Sequence, residues 1–541
     1  MKPVFLHLRC QTGTAPPPGA FRDGPAPFRH VPRSAASDGP LAGSAVLQDA
    51  PAAAVTAEAI TAETVTAEGE ARYYHGNAIL QDDGTRNGVF SEWSWDGTTL
   101  VVRNCRYGMS HLFYYCGDGE FCLSNSIPKL LERGVPGDWD DDAMAVFIRR
   151  HTFLGEDTPF RHIRALPPGA ELTWTNGRMT LQSRPFLPRP QHLKREAIVE
   201  GVIDLFAQSI ARRLPGTEAF YLPLTGGKDS RHILLELARQ SALPKACVTA
   251  AVPRSIASQD VEIAAQIAAR LALPHVVLPA VGPGIADEKR KNLMTSFCTL
   301  DHGWALPLTD FLQANTPVSY DGLGLDVFFN TIWFSDKRAQ LYAAGDFENL
   351  AVDFIGDSEP ALAMILKPEI YRRFSRERAL ARIVEELKHH ADKPHPIASF
   401  QFWNRTRRST STFTFAMQAA VSTVHTPFLD FELFDFVSSC QPDIESKIHD
   451  DVFAKAYPSF HDMPFVTSGI PKHSDSWNIR NKSFNLLTDL LSDTKKTSAI
   501  NAHFVATKFI KGSITGRRAD FDWLQPVLIH HMKQMEDCVS P

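Results

Sequence analysis

The sequence predicts an α/β protein in which an antiparallel, β-rich unit precedes a doubly wound, mainly parallel sheet with a helical C-terminal part. Three observations lead there. Between residues 71 and 188, the short strand-like runs YYHGNAIL, NGVFSEWSWDG, TTLVVRNCRYG and LFYYCGDGEFCLS are punctuated by DDG, WDG and GDGE at hairpin spacing. From residue 189 onward, strand and helix patterns alternate as they do in βαβ units. Beyond about residue 340 the apolar periodicity is mainly helical.

In chain order, residues 1–70 stand apart. TAPPPGAFRDGPAPFRHVPRSAASDGP is rich in Pro, Gly and Ser, and AVLQDAPAAAVTAEAITAETVTAEGE is an Ala/Thr/Glu tract with few large apolar side chains. Such composition cannot bury enough surface to offset chain entropy, so a disordered low-complexity tail is expected. A docking arm for a partner is its alternative use. After the β-rich runs of 71–188, RPFLPRPQHLKRE makes a Pro-rich, basic linker, and 189–541 forms the second unit. There KREAIVEGVIDLFAQSIARRL puts Ile198, Val202, Phe206 and Ile210 on one helical face, with AFYLPL following as a strand. Helix SRHILLELARQ, strand ACVTAAV, helix QDVEIAAQIAARLAL, strand HVVLPA and strand PVSYDGLG continue the alternation.

Composition excludes several classes. At 541 residues the chain exceeds one ordinary domain. Lys and Arg number 56 against 61 Asp and Glu, and the net charge of -5 gives no general reason to expect nucleic acid or an anionic membrane as partner. No apolar run approaches the roughly 18 residues that span a bilayer, and MKPVFLHLRCQTG is too short and interrupted for a signal peptide. The eight cysteines are scattered without a CxxC pair, which suits reduced thiols and a cytoplasmic location.

The stretch YLPLTGGKDSRHILLELARQ carries the chemistry. Ligands of parallel sheets sit at the carboxyl ends of the strands, where loops enter helices. The turn Thr225-Gly226-Gly227-Lys228-Asp229-Ser230 lies at such a point, and its two glycines are expected to adopt dihedrals closed to other residues and admit an anion to the backbone amides. A carboxylate there makes sense if a hard cation bridges it to phosphate, as Mg2+ does. The turn is neither GxxxxGK[ST] nor GxGxxG. By itself it also suits a plain strand-to-helix turn capped by Asp229. SYDGLGLDVFF repeats the logic, with Gly322 and Gly324 permitting close approach and Asp326 as a second strand-end carboxylate.

These segments resemble the asparagine synthetase superfamily. LTGGKDSRHIL is similar to its SGGxDS pyrophosphate loop, with Thr225 at the first Ser; VTAAVPRSIASQDVEIAAQIAARLALPHVVL to the next strand and helix with their Ser-x-Asp segment; DGLGLDVFF to its SGEGSDE turn; and TPFLDFELFDFVSSCQP to its PFLD segment. In the N-terminal half, RYGMSHLFYY and FRHIRALPPGAELTW resemble segments of its glutaminase domain. The resemblance, over roughly residues 72–475, implies an Ntn-like glutaminase domain, an ATP-pyrophosphatase domain, and ATP- and Mg2+-dependent adenylation of a carboxylate followed by amine attack. By position it assigns Thr225, Gly226, Gly227, Lys228, Asp229 and Ser230 to pyrophosphate. It places Leu222, Leu224, Ala250, Asp321, Gly322 and Gly324 at the nucleotide, and gives the metal to Asp229 and Asp326.

The departures are as informative. The family's glutaminase needs an N-terminal Cys at MCGI, whereas this chain begins Met1-Lys2-Pro3 and holds Cys10 in no such motif, so glutamine hydrolysis is expected to be lost. In the second turn Leu323 stands where asparagine synthetases carry Glu and β-lactam synthetases carry Tyr, and Val327 replaces the following acid. The resemblance then points to the macrolactam synthetases of lasso peptides. These join an Asp or Glu side chain to the peptide's own N-terminal amine, and imply a peptide or small carboxylate substrate, a leader peptidase and a leader-peptide-binding protein. An amidotransferase using ammonia or a small amine, a β-lactam synthetase-like cyclase, and an ATP-binding regulatory protein without ligase chemistry are the alternatives. The family's catalytic Lys has its nearest counterpart in Lys472 of FHDMPFVTSGIPKHSD, with Lys482 next. Arg407 and Arg408 fall where the family has a DRxSMA helix and face substrate or phosphate, or else are surface charges. His389, His390 and His395 lack the companions of a metal site, and the aromatics of SEWSWDG read as core of the β-rich unit.

Overall fold

A computed structural model of the chain describes residues 4–10, 55–61, 64–65, 70–117, 119–184, 186–216, 218–251, 255–279, 285–329, 333–420, 422–441, 447–466, 480, 483–485, 487–488, 499–515 and 524–539. It is mixed α/β, with antiparallel sheets at the N-terminus. Strands β1 (Phe5–Cys10), β2 (Val55–Thr61), β3 (Thr64–Val65), β4 (Ala71–Leu80), β5 (Arg86–Trp95), β6 (Thr99–Asn104), β7 (Phe113–Gly117), β8 (Glu120–Ser124), β9 (Arg164–Ala165), β10 (Ala170–Thr175) and β11 (Arg178–Ser183) form two sheets, ordered β2-β1-β8-β7-β9 and β11-β10-β6-β5-β4-β3. Leu6, Leu8, Tyr114 and Phe121 of the first sheet meet Trp93, Trp95, Val102 and Trp174 of the second in one core. The tryptophans of SEWSWDG are therefore packing residues. Helices α1 (Ile127–Glu132) and α2 (Asp141–Arg150) cover the far side of the first sheet, where Phe5 and Phe113 meet Leu130 and Phe147.

Residues 4–10, 55–61 and 64–65 depart from the expectation of a disordered tail over 1–70, most of which lies outside the described residues. Strand β1 pairs antiparallel with β8, Phe5 opposite Ser124, and with β2 on its other side. Its alternation sends Leu6 and Leu8 into the inter-sheet core and Phe5 to the helices, and all three are fully buried. A six-residue strand is held there by pairing with residues far along the chain, which the composition of the surrounding segment conceals.

The second unit opens with α3 (Arg195–Ala211), whose Ile198, Val202, Phe206 and Ile210 are buried as its spacing predicts. Strands β12 (Tyr221–Pro223), β13 (Ala246–Ala250) and β14 (His275–Leu278) pair in parallel, and β15 (Val318–Tyr320) pairs in parallel with β16 (Thr423–His425). Strand β15 runs beside β12. Helices α4 (Lys228–Arg239) and α5 (Ser255–Arg270) pack on one face of these strands against Leu222 and Cys247. After α6 (Ile285–Met294), α7 (Leu306–Asn315) packs on the opposite face against Val248. From β12 the chain steps outward to β13 and β14, then returns to β15, which pairs with β16 and lies beside β12. Beyond β15 the described residues are mainly helical.

Residues 71–188 and the rest of the chain share apolar cores, in which Phe147 joins Phe354 and Met532 and Tyr107 joins Phe402 and Phe434, and they also meet through buried and partly buried polar contacts. Asn77 of β4 donates to His425 Nδ1 at 2.7 Å, Asn87 to Asp430 Oδ2 at 3.1 Å, and Arg106 pairs with Asp435. Arg407 and Arg408 belong to this seam. Arg407 donates to the carbonyls of Leu166 and Gly155, and Arg408 to that of Asp157 at 2.6 Å. Both are buried and turned to residues 155–166, so they are not surface charges. No described helix is long and apolar enough to cross a membrane.

Candidate functional site

Strand β15 lies beside β12, and this brings together, at the ends of the two strands, the two turns that the sequence singles out. Gly322 lies directly on Asp229. A Cβ at Gly322 would fall 2.5 Å from the Asp229 Cβ and 3.4 Å from the Ser230 amide nitrogen. The glycine here serves close approach between the strand ends. Gly324 has φ +149°, which excludes most side chains, and it packs on Phe428 and Leu429.

The glycines of the first turn are used differently from expectation. Neither has positive φ. Gly226 is needed for space, since a Cβ there would stand 2.4 Å from Val466 Cγ2 and 3.3 Å from Asp260 Oδ1. Gly227 is the N-cap of α4 at φ -73° and brings no capping side chain, so this twelve-residue helix opens toward the turn without one, as an anion at its positive end requires. Around the turn, Thr225 N donates to Ser230 Oγ (3.1 Å), Gly226 N to Asp260 Oδ1 (2.8 Å) and Gly227 N to Thr225 Oγ1 (3.1 Å). These side-chain acceptors occupy amides that an entering anion would take.

Asp229 is partly exposed, with His449 Nε2 at 3.9 Å from its Oδ1. Burial, then the nearby Lys228 charge, pushes the His449 ring down to about 3, so it is neutral at ordinary pH. Lys228 reaches Asp450 Oδ1 at 2.7 Å and lies over the Phe465 ring. Leu222 and Leu224 are fully buried in the core, so their side chains face no ligand; Leu224 N and O are also engaged, by Val248 O and Thr249 Oγ1. Ala250, at the end of β13, is partly exposed. Asp321 Oδ1 accepts from Leu323 N at 2.8 Å and shapes the second turn. Asp326 begins the short helix α8 (Asp326–Phe329), and its side chain lies outside the described residues, as do Lys472 and Lys482.

His449 and Arg231 were not singled out in the sequence, and Asp260 entered only as part of its Ser-x-Asp segment. Asp260, the Asp of SQD, sits within α5, and burial raises its pKa while the Gly226 amide opposes the rise. His449 is the neighbour of Asp229. Arg231 is fully buried and ties the turn to residues 463–466. The signal for Arg231 was present: a charge on the helix stripe that continues through Leu234 and Leu235. Among the described residues no group of three or more His, Cys, Asp or Glu is gathered as a metal site. His390 bonds Ser399, His395 bonds the Cys440 carbonyl, and His389 lies by Glu386.

No protein-family model matches the chain, and no curated protein does. Among solved structures it is similar to glutamine phosphoribosylpyrophosphate amidotransferase from B. subtilis, complexed with ADP and GMP, at 10% identity and a TM-score of 0.16. The match covers 40% of this chain and spans less than half, 46%, of the other. At that score it carries no weight for fold or function.

Proposed function

We propose that the chain is an ATP-dependent ligase that adenylates a carboxylate and couples it to an amine. On this reading the second unit is a doubly wound nucleotide-binding domain of the ATP-pyrophosphatase kind, and the N-terminal sandwich is a glutaminase-like domain. The observation that carries it is the contact of Gly322 with Asp229. Two acidic, glycine-rich turns lie together at the ends of neighbouring strands, and the first leads into a helix N-terminus without a side-chain cap.

Thr225 to Ser230 would hold the pyrophosphate through turn and helix amides, with Asp260 yielding the Gly226 N–H as the anion enters. Asp229 is a partly exposed hard-oxygen donor beside that anion site, which fits Mg2+; Asp326 would be its companion. Held there, the ion would supply charge neutralisation at the phosphates, and the turn and Asp229 would fix nucleotide and metal in place for the carboxylate. Neutral His449 keeps its side of Asp229 free of added charge.

The amine's identity rests on Leu323, which is 7% exposed and packs in the core. That position offers an amine neither an acid nor a base. We therefore favour a macrolactam synthetase, in which the attacking amine is the substrate peptide's own N-terminus. ATP–pyrophosphate exchange tests the reading. Exchange that depends on a peptide bearing Asp or Glu supports it, whereas nucleotide binding without exchange for any carboxylate would favour an ATP-binding regulatory protein.

A further inference from the structure

Arg231 follows the turn directly and is fully buried. One terminal nitrogen donates to Met463 O at 3.1 Å; the other donates to Gly226 O at 3.2 Å and Pro464 O at 2.7 Å. Its planar face lies 4.1 Å from the centre of the Phe465 ring. Nε is buried with no partner. Among the described residues no carboxylate pairs with it; every acceptor is a neutral carbonyl.

A guanidinium buried among neutral groups is costly unless an anion compensates it. Tying down residues 463–466 does not require a charge, since Val466 N already donates to Gly226 O and Gly226 is already packed on Val466. What the charge does is set by the Gly226 carbonyl. In a trans peptide C=O and N–H point in opposite directions. Holding the Gly226 oxygen on the buried side therefore aims the Gly227 N–H at the exposed side of the turn, where it meets Thr225 Oγ1.

Building on the nucleotide reading, we propose that Arg231 is a positioning residue and buried counter-charge for the phosphate anion that the turn binds. It never touches the anion. It polarises and orients the Gly226–Gly227 peptide that does, and it supplies positive potential from beneath.

The test is isothermal titration of the full chain with inorganic pyrophosphate and with MgATP, for the wild type, Arg231→Gln and Arg231→Lys, with a ligand-free melting curve for each. Arg231→Gln is expected to weaken pyrophosphate about tenfold or more, with a shallower salt dependence, as loss of one buried charge implies. Arg231→Lys, which keeps the charge, should stay within about threefold of the wild type. A folded Arg231→Gln that binds pyrophosphate like the wild type overturns the inference. If that variant does not fold, Arg231→Lys decides: retained affinity supports the role, and a tenfold loss refutes it. A wild-type chain that binds neither probe defeats the nucleotide reading first, and the inference with it.

Discussion

Arg213 and Arg231 are both buried, yet their surroundings differ in kind. Arg213 donates to Asp430 Oδ2 at 2.7 Å, and Arg212 reaches the other oxygen of the same carboxylate at 2.8 Å. Asp430 is fully buried, accepts from Asn87 of the N-terminal unit and caps the helix Phe431–Ser439. With Glu432 Oε2 at 3.0 Å from Arg212, that knot sets two carboxylates against two guanidinium groups within the fold and, through Asn87, ties in the N-terminal strands. Arg231 has carbonyls alone, beside a turn suited to an anion. A balanced buried pair serves architecture; on the proposed reading, the unbalanced buried cation serves the anion of the turn.

The contrast can be broken most severely at Asp430. Asp430→Ala strands the buried Arg213, while Arg212 keeps Glu432 Oε2 at 3.0 Å, so urea unfolding should report a loss of about 3–5 kcal/mol. Next comes Gly322→Ala, whose new Cβ at 2.5 Å from Asp229 must part the two turns. About 1–3 kcal/mol of stability is expected to go, and MgATP binding by calorimetry should fall with it.

The knot should also answer to acid. His425 accepts from Asn77 on Nδ1 and lies in the field of Arg213. Burial, and then that arginine, holds its pKa at about 4, against 6.5 for a free imidazole. Below pH 6.5 the unfolded chain therefore takes up the proton first, so stability is full above that pH and falls as the pH drops toward about 4. His425→Gln should flatten this slope in unfolding curves measured from pH 7 to 5. The smallest effect belongs to Arg231→Leu in the ligand-free protein. It removes a charge that has no carboxylate to strand, so a change of about 1–2 kcal/mol is expected, well short of Asp430→Ala.

What the sequence made legible is what local pattern determines. The runs YLP, ACVTA, HVVL and VSY read as strands and are strands, and Asp229 and Gly322, predicted at strand ends, meet in space. What it concealed depends on distant partners. Strand β1 exists because Phe5 lies opposite Ser124. Gly226 is glycine because of Val466 rather than because of its own dihedrals. Leu222 and Leu224, assigned to the nucleotide by motif position, are claimed by the core because strand alternation under α4 and α5 leaves their side chains no other outlet. Arg407 and Arg408 find carbonyls at residues 155–166 that no local reading pairs with them.

The central claim is that the Thr225–Ser230 turn binds a metal-phosphate group through Asp229, and calorimetric titration with ATP tests it most directly. The wild type should bind ATP saturably in Mg2+ and much more weakly in EDTA, and Asp229→Asn should lose about tenfold or more of the Mg2+-dependent affinity, as removal of a carboxylate ligand implies. A folded Asp229→Asn chain that binds MgATP as tightly as the wild type would contradict it.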